Sequence, residues 1–231
     1  MAMTTPADPE ARRPVVAAQL RIYSANIDWA TGAGKDRRHL AHLLAATVGA
    51  VLIGVQEAKN LRLADVVTRP VRALQRTRGQ ARRGSGFVAR GVRTSRFRIF
   101  LGGVSHVTLP RWVARVRVTV AGKRLVVLSA HAPPKRGGRA AQDRFLRALK
   151  RRTDRLSRRG VAWVVCIDGN RDLVEVARYL GGRAYGADGD RIVGVVVSPD
   201  VMVGDHGVDR FGDEHDLTDH LAPWVDITGI R

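Results

Sequence analysis

Cysteine is nearly absent from this 231-residue chain: Cys166 stands alone inside an apolar run, so the fold has no intramolecular disulfide. Long apolar runs are missing too. None approaches the roughly 20 residues that a membrane-spanning helix requires. The N-terminal segment lacks the apolar stretch of a secretory signal, which makes a reducing cytoplasm the expected location. Aromatic residues are scarce at 5%, and Trp29, Trp112, Trp163 and Trp224 are dispersed, so no base-stacking platform is evident. The deepest deficit is acid. Against 40 lysines and arginines stand 21 aspartates and glutamates, a formal charge of +19, and between Lys59 and His131 the one carboxylate side chain is Asp65.

Such an excess of positive charge implies a polyanionic partner, or a site to which phosphate is drawn from a distance. The charge is also segregated along the chain. Arg62 to Arg98 and Lys135 to Arg159 are basic blocks, whereas Gly186 to Asp226 holds ten acidic residues against Arg191 and Arg210. A polyanion can then be gripped by the basic segments, with Arg82, Arg83, Arg136 and Arg139 as the expected nucleic-acid contacts, while acidic residues hold a cation. No amphipathic helix presents an exposed apolar face, so a membrane is not the expected partner.

At 45% hydrophobic residues the chain can bury one substantial core. Residues 1–17, with Pro6, Pro9 and Pro14, are expected to be a disordered lead-in, and 18–231 a single domain. Leu20 to Asn26 reads as a strand, Lys35 to Val48 as an amphipathic helix, and Ala50 to Val55 as a buried strand stopping at Gln56-Glu57. Further on, Gly86 to Ala89 and Arg98 to Leu101 are short strands. Trp112 to Val120 and Arg124 to Ala130 form a hairpin that ends at His131. Gly138 to Ser157 is a helix, Val161 to Ile167 a buried strand ending at Asp168, and Asp172 to Leu180 a short helix. Arg191 to Ser198 and a segment around Trp224 to Ile227 supply the last strands, and the acid-rich stretch between them reads as a solvated loop. Hairpins interspersed with helices indicate an α+β class. Asn26, Glu57, His131, Asp168 and Asn170 all stand at or just past strand ends, and Asp190 and His220 flank others, where a sheet can present polar groups together.

The ordered set Asn26, Gln56-Glu57, Gly84-Ser85-Gly86-Phe87-Val88-Ala89, Ser129-Ala130-His131, Asp168-Gly169-Asn170, Asp190-Arg191-Ile192, Ser198-Pro199 and Thr218-Asp219-His220 resembles the endonuclease/exonuclease/phosphatase superfamily over about Arg21 to Asp226. The resemblance implies a four-layer α/β/β/α sandwich of two packed, mainly antiparallel sheets, as in deoxyribonuclease I. It also implies a monomeric metal-dependent hydrolase of phosphoester bonds. Gly169 departs from the bulky residue usual between that aspartate and asparagine.

The chemistry of these side chains agrees with the implied reaction. Phosphodiester hydrolysis needs a cation at a phosphoryl oxygen, an activated water in line and stabilisation of developing charge. Mg²⁺, or Mn²⁺ in its place, is satisfied by one or two carboxylates. Glu57 is the principal expected ligand, with Asn26 and Asp219 nearby, Asn26 to position Asp168 or a metal-bound water and Asp219 to hydrogen-bond or reach the metal region. Asp168 is expected to orient or deprotonate the water, Asn170 to bind a phosphate oxygen, and His220 to contact the phosphate with Asp190 fixing its tautomer. His131, lacking an acidic partner in the segment before it, is expected to donate to phosphate. His206, His215 and His220 lack regular zinc-ligand spacing. The expected substrate is nucleic acid, DNA foremost. An inositol phosphate or phospholipid headgroup is the alternative, and a catalytically inactive nucleic-acid-binding protein a second one.

Overall fold

The computed structural model describes residues 20–27, 33–57, 63, 71–74, 85–101, 112–135, 138–186 and 192–231. The lead-in at 1–17 lies outside these. Twelve strands form two six-stranded sheets. In the first, the order is β11 (Val201–Asp209), β12 (Ala222–Ile230), β1 (Leu20–Asn26), β2 (Val51–Gln56), β4 (Gly86–Arg90) and β3 (Arg72–Leu74). In the second it is β5 (Ser95–Leu101), β6 (Trp112–Val120), β7 (Lys123–His131), β8 (Ala162–Asp168), β10 (Val193–Val197) and β9 (Arg183–Gly186). Among the described strands, only β1 with β2 and β7 with β8 pair in parallel; the other neighbours are antiparallel.

Both sheets are apolar on two faces, which is why their central strands read as unbroken hydrophobic runs. Leu20, Ile22, Leu52, Val116, Val127, Val164 and Val195 meet between the sheets. Leu40, Leu43 and Leu44 of α1 (Ala33–Ala45) cover the outer face of the first sheet over Tyr23, Ile53 and Val55. Phe145, Leu146 and Leu149 of α2 (Arg139–Ser157), with Val176 and Leu180 of α3 (Leu173–Leu180), cover the second over Val126, Trp163 and Val165. The result is the expected α/β/β/α sandwich. Among the described residues no helix is long and apolar enough to cross a membrane.

The sheets touch closely beneath the strand ends. A Cβ on Gly54 would lie 2.5 Å from the Cβ of Cys166, so only glycine fits there. The main surprise is β11, where a loop was expected. This edge strand is half exposed, and its pairing with β12 shifts register twice, between Met202 and Val203 and again between Val203 and His206, so neither face carries the apolar alternation that marks a strand in sequence. It leads into α4 (Phe211–Glu214), a single turn that precedes Leu217.

Candidate active site

Strand register decides which residues meet. Asn26 pairs with Gln56 at the ends of the parallel β1 and β2, and His131 pairs with Asp168 at the ends of the parallel β7 and β8. The antiparallel β12 and β10 begin at this same edge, so the residues just before them arrive there too.

Asp168, 2% exposed, is fixed through both oxygens. Its Oδ2 accepts from Nδ2 of Asn26 at 2.8 Å, and its Oδ1 accepts from the backbone N–H of Asn170 at 3.0 Å. Asn26 thus crosses from the first sheet to the second, acting as the positioning group for Asp168. The Asn170 side chain donates to the carbonyl of Ala132 at 2.9 Å, which ties the turn after β8 to the end of β7.

His131 differs most from expectation. Its Nδ1 lies 3.4 Å from Oε1 of Glu57 and its Nε2 lies 3.3 Å from Oδ2 of Asp168. The ring is therefore wedged between two carboxylates, and at 3% exposure it is a bridge within the site rather than a donor held out to phosphate. The acid missing from the preceding segment comes from before it, at Glu57, and from the neighbouring strand.

Two of these residues sit in left-handed backbone: Glu57 at φ 60° and Asn170 at φ 46°. Asparagine tolerates this region, but a glutamate there costs on the order of 1 kcal/mol. Such strain persists where the surroundings over-determine the conformation, and it clusters at functional sites.

The Thr218-Asp219-His220 loop is pinned by its first residue. Thr218 Oγ1 donates to the Asn26 carbonyl at 3.0 Å and accepts from the His220 N–H at 3.2 Å. His220 stands at the rim, its side chain 17% exposed, with Nε2 3.3 Å from Oδ1 of Asp219. Asp219, expected near the metal, is instead 75% exposed and faces His220. Asp190, Arg82, Arg83 and Arg136 lie outside the described residues, so the orienter expected for His220 and three of the four expected nucleic-acid contacts are not placed. Arg139 opens α2 and is exposed near this edge.

Gln142 escaped the sequence reading, which named Gln56 and Ser129 within motifs but gave them no role. Gln142 donates to the carbonyls of Pro133 and Asn170 at 3.0 and 3.2 Å, joining the loops after β7 and β8. Gln56 donates to Ser129 Oγ at 3.2 Å, and Ser129 Oγ in turn donates to the Val55 carbonyl at 2.8 Å, linking the sheets under the site. A usable signal existed for Gln142, a polar residue on the apolar stripe of its helix beside Phe145, Leu146 and Leu149.

The donor set suits a hard cation that keeps several waters. Glu57 and Asp168 supply carboxylate oxygen around one imidazole, and one or two carboxylates suffice for Mg²⁺. Among the described residues, no three His, Cys, Asp or Glu side chains are grouped to hold a metal, so a zinc-type cage is not assembled.

No protein-family model matches this sequence, and no curated protein matches it at a significant level. Solved structures do. An endonuclease/exonuclease/phosphatase family protein from Bacteroides thetaiotaomicron superposes with a TM-score of 0.67 at 14% identity, covering 90% of this chain and 97% of that one. A mannosyl-6-phosphatase of the same organism gives 0.69 at 14%, covering 90% and 99%. TDP2 of D. rerio, complexed with a single-strand DNA product, gives 0.66 at 15%, covering 89% and 97%. The chain has the endonuclease/exonuclease/phosphatase fold.

Proposed function

We propose that this protein is a Mg²⁺-dependent phosphodiesterase of nucleic acid, with DNA the favoured substrate, in which water attacks phosphorus. The observation that carries the reading is the meeting of Glu57, His131 and Asp168, with Asn26 bracing Asp168, where both sheets end. Asp168, restrained at both oxygens, orients the attacking water and accepts its proton. His131 couples Asp168 to Glu57, so that the two carboxylates keep a set separation. His220 at the rim donates to the scissile phosphate, and Asn170 donates to a non-bridging oxygen with the amide hydrogen not used on Ala132. A cation bound at Glu57 would neutralise charge that builds on the phosphoryl oxygens. Arg139 and the exposed arginines of α2 lie along the approach and favour a polyanion over a neutral ester.

The test is a panel of circular, nicked, linear and single-stranded DNA and RNA, incubated with the full chain and Mg²⁺ at low salt. Cleavage that stops with EDTA, and that Asp168→Ala and His220→Ala each lower at least about 10²-fold, supports the reading. Intact substrates throughout, or variants that cut as well as the wild type, overturn it.

A phosphomonoesterase is the second reading, favoured by one observation: the mannosyl-6-phosphatase superposes as well as the DNA-bound TDP2. Release of inorganic phosphate from sugar or inositol phosphates without DNA cleavage decides for it.

A further inference from the structure

At the end of the strands opposite the candidate site, the outer face of the second sheet carries arginine where the rest of that face carries core. Val113 lies under the helices, but Arg115 and Arg117 follow on the same side of β6. Across the ladder Arg98 is directly opposite Arg115, and Arg124 is directly opposite Thr119. Like charges placed opposite one another destabilise a sheet. A bulge between Ser95 and Arg98, with Arg96 at φ 51°, brings one more arginine beside Arg117.

A cleft of about 640 Å³ is lined by Arg96, Arg117, Lys123, Arg124 and Arg159 among others, and by no aspartate or glutamate side chain. The Nε atoms of Arg115 and Arg117 are buried without a hydrogen-bond partner. Both guanidinium groups are pushed below their ordinary pKa, first by desolvation and then by neighbouring arginines, yet arginine does not give up its proton in a protein. The repulsion is therefore retained in the fold, and an anion would relieve it.

We propose that this cleft is a second docking site for the phosphate backbone of a nucleic acid, separate from the strand-end site. The geometry favours a chain of phosphates over a single one. Same-face arginines repeat about 6.6 Å apart along a strand and about 4.8 Å apart between strands, so the charge forms a grid rather than a cup. None of the large exposed apolar side chains, Val48, Val174, Tyr179 and Met202, lines the cleft, so an apolar wedge for a lipid surface is lacking. The cleft lies between about 17 and 26 Å from the site, the rise of β7 to His131 from Val126, which faces Arg117, and from Lys123. α2 runs from one to the other with Arg144, Arg151, Arg155 and Arg158 exposed. A strand stacked at 3.4 Å per nucleotide engages both ends with about eight nucleotides, and an extended one with about half as many.

The test measures binding in EDTA, where hydrolysis plays no part, by fluorescence anisotropy of a labelled 20-nucleotide single strand and a 6-nucleotide one. Arg117→Gln with Arg124→Gln removes two contacts. The expected result is about 25-fold weaker binding of the 20-mer at 0.1 M salt, with a log-log salt slope smaller by about 1.4. The 6-mer, short enough to lie in the cleft, weakens as well, and thermal stability is equal or higher because repulsion falls. Arg117→Lys with Arg124→Lys keeps the charge and most of the affinity. An unchanged slope and affinity for the 20-mer overturns the proposal. So does a loss confined to phosphatidylserine vesicles. Absence of nuclease activity with the binding result intact would refute the proposed reaction and leave this site standing.

Discussion

Acidification should loosen the candidate site through His39, which lies on α1 beneath the loop that carries His220. This imidazole is 1% exposed, and neither ring nitrogen has a hydrogen-bond partner. Burial lowers its pKa from 6.5 to about 4; Asp209 opposes the shift and His42 adds to it. It packs on Gly212, where a Cβ would lie 2.8 Å from His39 Cε1 and 2.7 Å from Thr218 Cγ2. Gly212 also accepts from the Leu217 N–H at 2.8 Å, so His39 supports the turn from which Thr218 reaches the Asn26 carbonyl. Above pH 6.5 the ring is neutral whether the chain is folded or not, and its contribution is flat. As pH falls toward 4, the unfolded chain takes up a proton that the folded one refuses, so stability is lost across that window. From these two values the loss at pH 4.5 is about 2.5 kcal/mol. Urea unfolding at pH 7.5, 5.5 and 4.5 measures it, with His39→Leu expected to flatten the pH dependence by that amount. Hydrogen-exchange protection of the Leu217 amide should fall with pH in the wild type and hold in the variant. If wild type and His39→Leu lose the same stability between pH 7.5 and 4.5, the reasoning is wrong.

Other perturbations reach the site through packing and polar linkage. Gly54→Ala places a methyl 2.5 Å from Cys166 Cβ and should cost about 1–3 kcal/mol in urea unfolding, because the sheets must part. Gln142→Leu leaves the Pro133 and Asn170 carbonyls without their donor; kcat should fall about 10- to 100-fold with KM little changed and the circular dichroism spectrum retained. Arg21 makes two 2.7 Å bonds to Asp226 and lies 3.7 Å over Trp224. Arg21→Lys breaks that fork and should cost about 1–2 kcal/mol by thermal melting, with activity at permissive temperature unchanged.

Much of the chain was legible before any coordinates. Apolar runs and their polar stops are local, so β1, β2, β6, β7, β8 and the three longer helices stood in the sequence near their true bounds. So did the fact that Asn26, Glu57, His131 and Asp168 occupy strand ends. β3 and β9 are too short to show a period, and β11 lacks the alternation of a half-buried strand, so these were not visible. The site followed the same division. The sequence by itself determined which side-chain types reach the edge, because a strand's last residue is a matter of its own pattern. Only tertiary structure decided that His131 stands between Glu57 and Asp168, that Asn26 reaches Asp168 from the opposite sheet, the first of the two roles expected for it, and that Asp219 turns outward. Those relations depend on register and on the spacing of two packed sheets. The same holds for the arginines of β5, β6 and β7, which are scattered in the sequence and become one charged face when the strands pair.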